Sequence, residues 1–403
     1  MMIETRALDI HLADRKVGTI VALDGDRTIF SFAEDYTADL ERPTLSLGYR
    51  DSYGGLINEP RAHRVRLESF FSNLLPEGAL KDYLARRAGV KAVREFQLLA
   101  ALGGDLPGAV RAVPAEMGLT DLAQVSEVAA AIPARFRFSL AGVQLKFSAL
   151  KNQGKKGGLT IAVSGDGGEW IVKLPSTNFA NVPENEYSIM TLAGLVGIDV
   201  PEIDLLALDQ VEGLPEGVEQ LGDSAFAIRR FDRSPEGRIH TEDFAQVFRV
   251  YPDEKYDTAS YRNILKVLAD ATDDQSVDQF IRRLTFSVLV GNGDMHLKNW
   301  SLIYPDGRHP ILSPAYDLLS TIAYLPGEQS ALKFRRSKEW GDFNEETLIR
   351  LADKARLAAT PVLKAARETV ERFDAAWAAE KANLPLPAKL IDAIEKHRGG
   401  LAI

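Results

Sequence analysis

The chain opens on a two-residue rhythm. Leu8, Ile10 and Leu12 alternate with polar neighbours, residues 13–16 carry turn chemistry, residues 17–23 are apolar and β-branched, and residues 28–32 repeat the strand pattern after Gly25-Asp26. Alternation broken by turn residues predicts an antiparallel meander. The period then lengthens: residues 65–75 and 79–88 read as helices split by Pro76-Glu77-Gly78, with Phe70, Phe71, Leu74 and Leu75 as the buried stripe and Gly89 as the stop. A short helix over 96–102 ends at Gly103-Gly104, and a boundary falls near residue 110.

Past Pro114 and Gly118, an alanine-rich helical piece leads to Pro133, and strands take over from Phe138. Residues 145–150 alternate, 151–158 form a polar loop, and 159–163 are apolar. Asp166 sits in the hairpin chemistry of 164–168, and 170–174 is an apolar strand that carries Lys173. Pro183-Glu184-Asn185-Glu186 opens an amphipathic helix with Ile189, Met190, Leu192, Ala193 and Val196 apolar; Gly197 and Pro201 end it. Strands are expected at 203–208 and 225–231. Helices dominate afterwards, at 241–248, 261–269, 278–290, 345–359, 362–380 and 388–397, interrupted by two short strands at 300–304 and 309–312. The division expected is an N-terminal α+β domain over 1–110, a β-rich lobe over 111–232 and a helical lobe over 233–403.

Composition narrows this picture only a little. The 403 residues are 45% apolar and 26% charged, an ordinary globular composition. With no cysteine, disulfide frameworks and thiolate metal sites are excluded, and a cytoplasmic setting is expected. No apolar run approaches the roughly 18 residues of a membrane span. The net charge of -9 argues against nucleic-acid binding by bulk electrostatics.

Chemistry concentrates in residues 291–304, Gly-Asn-Gly-Asp-Met-His-Leu-Lys-Asn-Trp-Ser-Leu-Ile-Tyr, with Tyr316-Asp317 downstream. Asp294 and Asn299 stand five positions apart on a glycine-flanked loop after a helix, and a hairpin then returns the chain to Asp317. An isolated Asp-x-x-x-x-Asn is commonplace, often a turn with a capping Asp. The order helix, loop, hairpin, Asp is what phosphoryl transfer requires: a carboxylate to orient the attacking hydroxyl, and an amide oxygen with a second carboxylate to hold Mg²⁺. Lys173, awkward inside an apolar strand unless its ammonium is paired, fits a phosphate ligand, and Glu186 lies 13 positions on as a possible partner. A solvent-facing Lys and a helix-start acid are the bland readings of the same two residues. The small-residue turn before Lys146 offers backbone N–H groups for phosphate, although Gly-x-Gly-x-x-Gly is absent. A zinc site is poorly supported with six His in no ligand spacing, and no Gly-x-Ser-x-Gly elbow exists for a serine hydrolase.

These motifs, taken in order, resemble the HipA-like serine/threonine kinase toxins of bacterial toxin–antitoxin modules. The resemblance runs from Arg42-Pro43 and the Phe-Phe-Ser-Asn-Leu-Leu-Pro run at 70–76, through Ser-Leu-Ala-Gly-Val-Gln-Leu-Lys at 139–146, Ile-Val-Lys-Leu-Pro at 171–175, Asn185-Glu186-Tyr187 and Arg230-Phe231-Asp232. It closes with Gly-Asp-Met-His-Leu-Lys-Asn at 293–299 and Tyr-Asp-Leu-Leu-Ser at 316–320. It implies an α+β, bilobal protein-kinase-like fold, with a β-rich small lobe, a helical large lobe and an added N-terminal α+β domain.

The resemblance also implies site roles and partners. Asp294 would be the catalytic base; Asn299 and Asp317 would hold Mg²⁺. ATP would be bound by Ala141, Gly142, Val143, Gln144, Leu145, Lys146, Lys173, the hinge Arg229, Arg230 and Phe231, and His296, Leu297, Lys298, Asn299, Tyr316 and Asp317. Ser139 matches the autophosphorylated serine. The implied partners are a helix-turn-helix, HipB-like antitoxin, through which alone DNA is reached, and a protein substrate, an aminoacyl-tRNA synthetase; no membrane is involved. Leu145 and Phe147 depart from the family by replacing Glu and Thr, and Arg229 replaces an acid. The bare motif is also compatible with a small-molecule kinase or a non-catalytic corepressor of the antitoxin.

Overall fold

The computed structural model describes residues 5–115, 146–151, 158–161, 168–214 and 217–403. Ser139, residues 141–145, the alanine-rich piece before Pro133 and the Asp166 turn lie outside them.

At the N-terminus the predicted alternation becomes a fully antiparallel five-stranded sheet, ordered Ala62–Arg64, Arg27–Phe32, Arg15–Leu23, Ala7–Leu12, Val110–Pro114. Leu8, Ile10 and Leu12 point inward because successive strand side chains alternate faces. Their face is covered by the helices Ser69–Leu74 and Glu95–Leu102 around a ring of Phe30, Tyr49, Phe70 and Phe71. Gly18 is needed beneath it: a Cβ there would come within 2.5 Å of the Phe30 ring. The helix expected from residue 65 starts only at Ser69, because residues 62–64 are drawn in as the sheet's edge strand and Val65 turns the chain at φ 68°.

The second sheet is ordered Val211–Glu212, Leu159–Ile161, Lys146–Lys151, Trp170–Lys173, Ser224–Arg229, Ile203–Ala207. Its two faces enter different cores. Trp170, Val172, Ala225 and Ala227 pack with Leu80 of the front-domain helix Gly78–Arg87. Phe226 and Ile228 face the helix Val182–Val196 and the large-lobe core. Alternation therefore puts Lys173 on the same side as Phe226, whose ring lies 5.7 Å from the ammonium. The helix ends as expected, at Gly197 with φ 94°.

Helices Tyr261–Ala271, Asp274–Leu289, Glu345–Lys354, Ala359–Glu380 and Ala388–Gly399 build the large lobe. One expected element changes: over 241–248 the chain is the strand His240–Asp243 followed by a single helical turn, Phe244–Val247. Residues 240–243 pair with 304–301, and an Asp243–Gln246 capping box starts the turn. The architecture is α+β, with a β-rich lobe, a helical lobe and an α+β domain in front. Among the described residues no helix is long and apolar enough to cross a membrane.

The front domain is joined to both lobes by buried polar groups. Glu242, wholly buried, accepts from Ser46 Oγ at 2.5 Å, from Leu47 N–H at 2.9 Å and from the Tyr304 hydroxyl. Burial pushes its carboxyl up to about 7 despite those donors. Asp105 pairs with Arg233 at 2.7 Å and with Arg230 at 3.4 Å.

Candidate active site

The loop that carries Asp294 is anchored by its apolar members. Met295, Leu297 and Trp300 are fully buried and pin the loop to the core. Gly291, at φ 65°, makes the turn out of the preceding helix; a Cβ there would strike Ile322. The Asp294 carbonyl then accepts from His296 N–H at 2.8 Å and Asn299 Nδ2 at 2.7 Å, closing the loop on itself. Asp294 Oδ1 receives the Tyr256 hydroxyl at 2.6 Å. Burial raises the Asp294 carboxyl above its ordinary value, Tyr256 opposes that rise, and the charge on Asp317 adds to it.

Opposite lies the lysine strand. Lys173 Nζ is 2.5 Å from Glu186 Oε1 and in contact with Asp317 Oδ1. Burial on its own would lower the ammonium's pKa, yet Asp317 and Glu186 outweigh it and push it up, so the cation persists. Burial pushes the Glu186 carboxyl up to about 7. Burial acts the same way on Asp317, but Lys173 and Lys146 hold that carboxyl well below the usual range. Asp317 adopts φ 54°, rare for a residue with a side chain. The conformation is held from both sides. Asn292 Nδ2 reaches the Asp317 carbonyl at 3.4 Å, and Asn185 grips Ser320 by donating to its carbonyl at 2.8 Å and accepting from its N–H at 3.1 Å. The helix bearing Glu186 and the segment bearing Asp317 are thus tied to each other.

Other sequence candidates divide. His296 is buried, with Nδ1 lacking a partner among the described residues, and burial lowers it to about 3, so the ring is neutral. The rings of Phe231 and Tyr316 lie 5.7 Å apart, and the Tyr316 hydroxyl donates to the Lys298 carbonyl at 2.8 Å. Lys146, exposed, stands in register with Lys173. Three expected side chains are engaged elsewhere. The Lys298 ammonium goes to the front domain, to Asn73 O and Glu77 Oε1, each at 2.9 Å. Arg230 is buried against Asp232 and Asp105, and Arg229 lies exposed 3.7 Å from Glu202. The Arg229 and Arg230 main-chain N–H groups are taken by the carbonyls of Glu202 and Glu169. Leu297 is core.

Tyr256, Lys255 and Glu77 were not anticipated. Glu77 bridges Lys255 at 2.8 Å and Lys298 at 2.9 Å. Burial would raise its carboxyl, but the two ammoniums outweigh that and hold it at about 2. In sequence Glu77 is punctuation between helices, and only a charged residue between Pro and Gly hinted otherwise.

The family model described as HipA N-terminal domain matches residues 8–113, and the HipA-like C-terminal domain model matches 138–377. Y4dM of Sinorhizobium fredii, which bears the name of a kinase, is 55% identical over 397 residues, 98% of this chain and 97% of its own length. The serine/threonine-protein kinase toxin HipA of Shewanella oneidensis is 27% identical over 81% of this chain and 78% of its own. The fold matches that of the Shewanella oneidensis HipA solved with HipB and operator DNA, at a TM-score of 0.73 and 22% identity over 97% of this chain and 95% of that one. With both domain models matched in order and a relative alike along nearly the whole chain, this protein belongs to the HipA family of serine/threonine kinases.

Proposed function

We propose that this chain is the toxin of a toxin–antitoxin module, a kinase that uses Mg²⁺ and ATP to phosphorylate a serine or threonine of a protein substrate. One observation carries the reading. A wholly buried lysine is kept charged between two carboxylates, across a cleft from a loop that holds a third carboxylate beside an amide.

The donor chemistry fits the implied groups. Among the described residues no three His, Cys, Asp or Glu side chains cluster as a self-sufficient metal cage. Mg²⁺ beside phosphate needs only one or two protein oxygens. Asp317 offers a carboxylate, and Asn299, with Nδ2 committed to the Asp294 carbonyl, has its amide oxygen as the available end. Bound Mg²⁺ and ATP supply the transferable phosphoryl group and the neutralisation of its charge. Lys173 binds phosphate oxygens, Glu186 holds Lys173 in position, and Phe231 with Tyr316 forms a ring-lined wall suited to a base. Asp294 orients the acceptor hydroxyl and receives its proton.

Ser139, by family likeness, is the autophosphorylation site. A phosphate there adds almost two negative charges beside the phosphate-binding residues 141–146 and switches the enzyme off by repulsion. The relative solved with HipB and operator DNA supports a HipB-like antitoxin partner, which would carry this acidic chain to DNA. An aminoacyl-tRNA synthetase is the proposed substrate.

Transfer from ATP by wild type and by Asp294→Asn is the direct test. Loss of a positioned base lowers the rate by about 10²- to 10⁴-fold. Equal transfer by both proteins would refute the assignment, and phosphoproteomics after induction of each would identify the substrate.

A further inference from the structure

The front domain holds a strap of the large lobe, residues 249–256, at nearly every second position. Glu68 pairs with Arg249 at 3.1 Å, and Asn73 Nδ2 donates to the Val250 carbonyl at 2.7 Å. The Tyr251 hydroxyl meets His63 Nδ1 at 3.0 Å and donates to the Leu67 carbonyl at 3.2 Å. Arg66 takes both Asp253 oxygens at 2.8 and 3.0 Å, and Glu77 takes Lys255.

Past those five positions the strap touches the site. Leu297 N–H donates to the Lys255 carbonyl at 3.3 Å, the Tyr256 ring stands edge-on to His296 at 5.0 Å, and the Tyr256 hydroxyl donates to Asp294 Oδ1. Asp294 Oδ2 makes no hydrogen bond among the described residues. One carboxylate oxygen is therefore tied, and the other has no such tie among the described residues.

We propose that Tyr256 is a positioning residue for phosphoryl transfer: its hydroxyl fixes the rotation of the Asp294 carboxylate so that Oδ2 is presented to the acceptor hydroxyl, and the front domain sets this geometry through the strap. The inference rests on Asp294 as the base. It gives the front domain a role in the reaction, because whatever shifts that domain shifts Tyr256. A carboxylate free to rotate loses the near-attack geometry on which an oriented hydroxyl depends.

Tyr256→Phe keeps the ring and removes only the hydroxyl. In the full chain, with an acceptor on which wild type is active and Asp294→Asn is not, kcat is expected to fall about tenfold. The KM for ATP, the affinity for a fluorescent ATP analogue and the melting temperature stay at wild-type values, a split that general destabilisation does not produce. Arg66→Ala, which releases Asp253 of the strap and contacts neither Asp294 nor its loop, is expected to lower kcat about two- to threefold in the same pattern. A Tyr256→Phe enzyme with unchanged kcat overturns the proposal. A raised kcat also overturns it, because Tyr256 would then be a plug in the acceptor's place. Full transfer by Asp294→Asn would instead remove the base assignment itself.

Discussion

Two ion clusters flank the cleft and are charge inverses of each other. At Lys173 one cation lies between two carboxylates; at Glu77 one carboxylate lies between two ammoniums. They differ in burial: the Lys173 side chain is 8% exposed, whereas the Glu77 side chain is 35% exposed. A buried ion set is costly to break because any survivor is left charged and unhydrated. A partly exposed one contributes little. The first belongs to the rigid frame of the kinase lobes. The second joins the front domain to the loop that carries Asp294.

Lys173→Met breaks the comparison most severely. It strands Glu186 and Asp317 together in a buried site, and we expect a loss of about 3–5 kcal/mol in unfolding free energy along with loss of nucleotide binding, measured by denaturant titration and calorimetry. Next comes Asn185→Ala, which leaves the Ser320 carbonyl and N–H unpaired. It should cost roughly 2 kcal/mol and loosen Asp317 without changing any charge, visible as a lower melting temperature and weaker binding of ATP.

Glu77→Gln should alter neutral-pH stability by under about 1 kcal/mol, because the group is partly exposed. Its signature is pH dependence. The folded carboxyl titrates near 2 against 4.5 for an ordinary Glu, so its contribution is present above 4.5 and disappears as pH falls toward 2. Melting curves of wild type and variant should therefore converge across that acidic window; parallel curves would show that the bridge is not made. Smallest is Arg229→Ala. With its side chain exposed and the main-chain N–H already bound to Glu202, activity and ATP affinity should stay within about twofold of wild type.

Much of the candidate site was legible in the chain because its parts are local. Lys173 faces the helix side because a strand alternates, and Glu186 meets it because a short connection brings the next helix back across that face. Asp294 and Asn299 share one tight loop, and the hairpin returning Asp317 is short. Misreadings arose where a distant segment competes for a side chain. Lys298 has the spacing of a phosphate ligand, yet Asn73 and Glu77 take its ammonium. Arg230 stands at the hinge, yet Asp105 of the front domain helps to bury it. Residues 241–243 follow a helical period until pairing with residues 301–303 makes them a strand.

By itself, then, the sequence determined the order of lobes and the Asp294–Asn299–Asp317 series and offered Glu186 as a possible partner of Lys173, since period, turn chemistry and short connections act over a few tens of residues. Only the tertiary structure decided that the front domain reaches the catalytic loop, with Glu77 on Lys298 and a strap ending at Tyr256 on Asp294. Contacts between residues far apart in sequence depend on how whole domains pack, and no local pattern encodes which exposed acid will meet which lysine.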